Sequence, residues 1–208
     1  MSDCPQAFDP HFARMVYRRK LPHWRQPGAA YFLTFRLADS LPLHVLRQWS
    51  QENEQWTASH PSPFTDEQRQ EQINKYGRKL LTYLDNGFCS CMMKAAAIRE
   101  HVASAMLHFD RERYLLGQFA IMPNHVHALV MPLGDWDLTT IAASWMRYSA
   151  VRINRDSGHA GRFWQSEPFD HIARDRVAFG RFTKYIQDNP LKAAEGQAEC
   201  GRGSLCWE

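Results

Sequence analysis

Alternation of apolar and polar side chains marks the first readable element. In residues 29–37, AAYFLTFRL, the residues Tyr31, Leu33, Phe35 and Leu37 fall two apart, which is the period of a strand with one buried face. The period then lengthens. Leu43, Leu46, Trp49 and Trp56 recur at helical spacing behind Ser40 and Pro42, so a helix is expected over 43–57. After a loop over 58–67, a polar helical pattern runs to residue 84, its apolar positions Leu80, Leu81 and Leu84 coming late; Asn86-Gly87 ends it. Ile98, Val102, Ala105, Met106 and Phe109 make the stripe of a helix over 93–109. Two β-like runs, 114–121 and 125–131, follow, joined through Met122-Pro123-Asn124 as in a hairpin. A helix over 137–154, a short strand near 165–172 and a helix near 176–188 complete the pattern.

With residues 58–90 set aside as a helical insertion, the order is strand, helix, helix, strand, strand, helix, strand, helix. That order fits an α+β sandwich of the ferredoxin-like or RRM-like type, an antiparallel sheet with helices on one face. Pro5, Pro10, Pro22 and Pro27 mark residues 1–28 as an irregular N-terminal arm. Gly196, Gly201 and Gly203 mark 194–208 as a loose C-terminal tail. The folded domain is then 29–193.

Composition narrows the class. At 44% apolar and 12% aromatic, the chain can bury a core and is not disordered. Net charge is +3, too little to imply nucleic acid by itself. The distribution says more. Arg14, Arg18, Arg19, Lys20 and Arg25 meet only Asp3 and Asp9, and Arg147, Arg152, Arg155, Arg162, Arg174, Arg176, Arg181 and Lys184 crowd one later stretch. Such clusters suit phosphate. The five cysteines are odd in number, and Cys89-x-Cys91 lacks zinc-knuckle spacing, so reduced thiols in a cytosolic protein are expected. No signal-peptide core and no run approaching a membrane span is visible, so a soluble protein with no membrane partner is expected.

Two stretches carry candidate chemistry. In MPNHVHALV, His125 and His127 occupy alternate positions of a strand and so project from the same face. Two imidazoles placed that way can reach one cation, with further ligands drawn from elsewhere. In FTKYIQDNPLKAA, Tyr185 and Asn189 lie four apart on one helix face, and Pro190 ends the helix at Asn189, leaving its amide carbonyl free for a metal or for backbone. Tyr148, set among arginines in WMRYSAVRINR, is a competing tyrosine without a metal ligand beside it.

Together these stretches resemble the HUH single-tyrosine transposases, and within them the REP-associated tyrosine transposases of bacteria. The resemblance rests on GAAYFLTFRL (28–37), AIMPNHVHALV (120–130), GRFWQSEPFDHIAR (161–174) and YIQDNPLKA (185–193), in that order along most of the chain. It implies that His125 and His127 are paired metal ligands, Tyr185 the nucleophile, and Asn189 a third ligand or metal-site neighbour. The substrate implied is single-stranded DNA that folds into palindromic, REP-like hairpins, cut and rejoined through a 5′-phosphotyrosine link with Mg²⁺ or Mn²⁺ in attendance. A cytoplasmic, nucleoid-associated protein acting as monomer or homodimer would follow. Arg18, Arg19, Lys20, Arg25 and Arg36 are candidates to clamp backbone near the arm, with Arg147, Arg174 and Lys184 in the later cluster. Trp24 and Trp164 are candidates to stack on bases, and His171 is a candidate to support the metal ligands or the DNA.

Two other functions compete on sequence alone. One is a non-catalytic single-stranded nucleic-acid-binding protein, although the aromatic RRM signature is missing. The other is a hydrolase whose histidines activate water, which needs an acidic third ligand such as Asp170, Asp175 or Asp188.

Overall fold

In a computed structural model, the described residues are 4–9, 11–18, 21–60, 64–87 and 89–207. Five antiparallel strands form the central sheet: β3 (Tyr31–Arg36), β4 (Tyr114–Ile121), β5 (His125–Pro132), β6 (Phe169–Ile172) and β7 (Glu199–Arg202), in spatial order β6-β3-β5-β4-β7. The first four follow the split β-α-β arrangement expected of an α+β sandwich. Strands β3 and β5 are interior, and every residue of β3 is buried.

Helices cover both faces of the sheet. On one face α3 (Ala96–Leu107) and α4 (Leu138–Ser157), the latter through Trp145, cover Leu33, Phe35, Val126 and Val130. On the other, α5 (Arg176–Asp188) lays Phe179 and Ile186 over Phe32, Ala120, Leu129 and Met131. The expectation of helices on one face therefore holds for α3 and α4 and fails for α5. The reason is visible in the strands: their alternate positions are apolar too, so the second face also needs a cover.

Between β3 and α3, the segment α1 (Leu43–Ser59) and α2 (Asp66–Asp85) forms a helical pair. A capping box, Thr65 with Gln68, starts α2, worth about 1 kcal/mol. Leu80 and Leu84 pack with Leu41 and Phe169. This ties the insertion to β6.

Both chain ends depart from expectation. Within the arm, β1 (Arg14–Arg18) pairs with β2 (Leu21–Arg25) as a separate antiparallel ribbon. Pro22 is tolerated there because a two-stranded ribbon is all edge. The tail is not loose. Strand β7 adds to the edge of β4, and Leu205 is buried against the sheet. A Cβ at Gly201 would stand 2.2 Å from Phe119 Cζ, and one at Gly203 2.5 Å from the Leu116 carbonyl oxygen. These glycines permit close approach rather than freedom. Among the described residues, no helix is long and apolar enough to cross a membrane.

Candidate functional site

Register delivers the histidines. On β5, His127 stands opposite Thr34 of β3 and Ala120 of β4, and His125 stands opposite Arg36. Both imidazoles therefore emerge under α5, 1% and 0% exposed, with ring centroids 4.5 Å apart. Helix α5 brings Tyr185 over them: its ring centroid is 5.3 Å from that of His127. Asn189, fully buried, follows in a 3₁₀ turn that begins where Pro190 makes the α-helix end.

The two imidazoles are held by their Nδ1 atoms. His125 Nδ1 is 2.6 Å from Asn124 Oδ1, and the Asn124 amide is itself oriented, since its Nδ2 donates to the Leu84 carbonyl at the end of α2 (2.9 Å). A carboxamide oxygen can only accept, so His125 Nδ1 carries the proton and Nε2 carries a lone pair. His127 Nδ1 is 2.8 Å from Thr34 Oγ1, a hydroxyl able to accept in the same way. The sequence assigns no site role to Thr34, and names Asn124 only as a turn residue. Thr34 could have been found from β3 alternation, and Asn124 from its place in the turn before His125.

What remains is a set of buried polar atoms without hydrogen-bond partners: His125 Nε2, His127 Nε2, Tyr185 Oη, and Asn189 Oδ1 and Nδ2. Each such atom costs about 1–3 kcal/mol, so five together need an explanation. Burial pushes the His125 imidazolium down to about 3, helped by the charge of Lys192. His127 is also pushed well below its ordinary value, by burial, His125 and Lys192. Both rings are thus neutral, the form that ligates a cation. The donors available are two imidazole nitrogens and one amide oxygen, a set that fits a divalent ion of borderline hardness. Burial and Asp85 raise the Tyr185 pKa; Lys192 and Asn189 pull the other way without closing a hydrogen bond of ordinary geometry.

One solved structure is similar to this chain. No protein-family model matches the chain, and no curated protein matches it. The solved structure is a REP-associated tyrosine transposase bound to a REP hairpin, 16% identical, with a TM-score of 0.43, covering 85% of this chain and 73% of that one. A likeness at that level leaves the site to stand on its own residues.

The other expected residues scatter. Arg19 and Lys20, and the side chain of Arg18, lie outside the described residues. Arg36 is 6% exposed and donates to Ser40 Oγ at 2.9 Å, so it cannot clamp a backbone; an interior strand buries whatever it carries. Trp164 is 4% exposed, meets Phe35 edge-on and donates to Ser149, so it is core and not a stacking platform. Trp24 is half-buried against Phe8, on the α3–α4 side. Arg25 is paired with Asp170 at 2.7 Å. Arg147 is exposed on α4, across the sheet from the histidines. Arg174 lies 4.9 Å over the Phe8 ring, and exposed Lys184 pairs with Asp188. His171 packs on Phe182, while the histidine Nδ1 atoms are taken by Thr34 and Asn124.

The competitors lose ground by position. Tyr148 is 47% exposed on α4, across the sheet from both histidines. Asp175 caps α5, and Asp170 and Asp188 are in ion pairs. Among the described residues, no group of three or more His, Cys, Asp and Glu side chains forms a metal site, so the acidic third ligand that a water-activating hydrolase needs does not join the pair.

Proposed function

We propose that this chain cuts and rejoins single-stranded DNA of the hairpin-forming, REP-like kind, with Tyr185 as nucleophile and His125, His127 and Asn189 as ligands of Mg²⁺ or Mn²⁺. One observation carries the reading: two bare imidazole nitrogens, an amide oxygen and a phenolic oxygen are all buried without a hydrogen-bond partner, on rings whose centroids stand 4.5 Å (His125–His127) and 5.3 Å (His127–Tyr185) apart and on the 3₁₀ turn that follows Tyr185. A cation bound there would polarise the scissile phosphate and offset the charge developing on it.

The protein's own residues do the rest. Tyr185 Oη attacks phosphorus, the 3′-oxygen leaves as a free 3′-OH carrying the phenolic proton, and the 5′-phosphate stays on the tyrosine. A phenol is a better leaving group than an alkanol, so the returning 3′-OH can displace it without ATP. Thr34 and Asn124 keep each histidine lone pair free for the cation. Shielding of Tyr185 Oη keeps water from a linkage that must wait to be rejoined.

The test is a covalent adduct. Wild-type protein with Mn²⁺ and a labelled single-stranded hairpin from beside its gene should yield a labelled protein band, and Tyr185→Phe should give none while still binding the DNA. An adduct formed equally by Tyr185→Phe, or none formed by the wild type with any hairpin, would remove this function.

A further inference from the structure

Lys192 belongs to none of the roles above, yet it faces the nucleophile. Its Nζ is 2.7 Å from Asp85 Oδ2 and 4.8 Å from the centroid of the Tyr185 ring. The pair is partly exposed, 39% for Lys192 and 27% for Asp85, so its charge stands beside Tyr185 with access to solvent. Burial opposes the Lys192 charge, but Asp85 and Tyr185 outweigh it and the ammonium is kept protonated. That charge reaches both histidines, depressing each of them.

The charge balance gives the ammonium a use. No carboxylate joins the histidine pair among the described residues. The one nearby, Asp85, is already bonded to Lys192. A cation held by neutral ligands beside an ammonium makes an anion trap. An ammonium has three N–H donors, and Asp85 occupies one. We infer that Lys192 is a phosphate-binding residue, donating to a non-bridging oxygen of the phosphodiester that lies against Tyr185, with Asp85 holding it in place. The kind of phosphodiester rests on the function proposed above; the phosphate-binding role does not require that bond to be cut. The inference also gives α2 a part in the site. Its last turn supplies Asp85 to Lys192 and the Leu84 carbonyl to Asn124.

A plain structural staple between α2 and the 3₁₀ turn is the alternative, and paired variants separate the two. Single-stranded hairpin DNA is titrated against wild type, Lys192→Gln, Lys192→Arg and Asp85→Asn in Mn²⁺, and adduct formation is timed at saturating DNA. Lys192→Gln should lose about tenfold in affinity or in adduct rate, since a charge-assisted contact at a partly exposed site is lost. Lys192→Arg should stay within about threefold of wild type. Asp85→Asn keeps an acceptor but removes a competing negative charge, so its DNA binding should hold or tighten. Parallel losses in Lys192→Gln and Asp85→Asn would reduce the pair to a staple and overturn the inference, as would no change in either. Opposite shifts in binding without any adduct would keep the phosphate site and sink the strand-transfer function. A wild type that binds no single-stranded DNA would end both.

Discussion

Thr34→Val isolates one hydrogen bond. The two side chains have nearly the same volume and both favour strands, so packing on β3 and pairing with β5 should survive. What is lost is the acceptor 2.8 Å from His127 Nδ1, in a residue that is 0% exposed. A buried donor left without a partner costs about 1–3 kcal/mol. For a chain of this size, each kcal/mol corresponds to about 2–4 °C in melting temperature. The loss also frees the imidazole to change tautomer. With its proton on Nε2, His127 no longer presents a lone pair to a cation, and Mn²⁺ affinity should fall by about 10–100-fold. Thermal melting with and without a Mn²⁺ titration reads both effects at once, and Thr34→Ser, which restores the hydroxyl, should recover most of each. If Thr34→Val melted like the wild type and took Mn²⁺ equally well, the hydroxyl would have no role in orienting His127, and the tautomer argument would be wrong.

Other consequences are simpler. Tyr185→Phe removes a buried hydroxyl that has no partner, so the variant should be as stable as wild type or more stable by up to about 1 kcal/mol while forming no adduct; a clear drop in melting temperature would show the hydroxyl to be structural. Gly203→Ala places a Cβ 2.5 Å from a backbone oxygen of β4 and should cost about 1–3 kcal/mol, read by denaturant midpoint; a neutral result would mean the tail is free to lift off. In metal-free protein both histidines have folded-state pKa values below the ordinary 6.5, so the unfolded chain binds protons first; stability from this source is complete above about pH 6.5 and drains as pH falls toward 3. Melting temperature against pH in the presence of a chelator checks this, and a flat profile through that window would contradict the burial of the pair.

Periodicity made most of the fold legible because most elements have one clear job. The strand around Tyr31–Leu37, the hairpin around Pro123 and the helices carrying Trp145 and Tyr185 all alternate or repeat as their environment requires. What misled was local punctuation. Gly201 and Gly203 read as looseness, yet each is small because Phe119 or the β4 backbone lies where a side chain would be. Proline spacing in the arm read as irregular, yet an edge ribbon accepts Pro22 without losing a needed hydrogen bond. For the glycines the deciding neighbour is distant in sequence, so no window of a few residues contains the information; in the arm it is close, Pro22 standing opposite Tyr17, and the proline count masked the pairing.

The site divides along the same line. His125, His127, Tyr185 and Asn189 were visible because spacing alone puts each pair on one face, and register and α5 then bring the pairs together. The positions of their supports could be read, but not the partners that fix them. Asn124 is fixed by a carbonyl 40 residues away, and Lys192 is held by a carboxylate 107 residues away. The arginines fail for a related reason. A sequence shows that Arg36 is charged but not that β3 is interior, and burial turns a candidate phosphate clamp into a partner of Ser40. A cluster of basic residues is thus weak evidence until the sheet is built. A group of buried atoms lacking partners on neighbouring side chains is stronger, because folding rarely leaves such atoms unsatisfied without a reason.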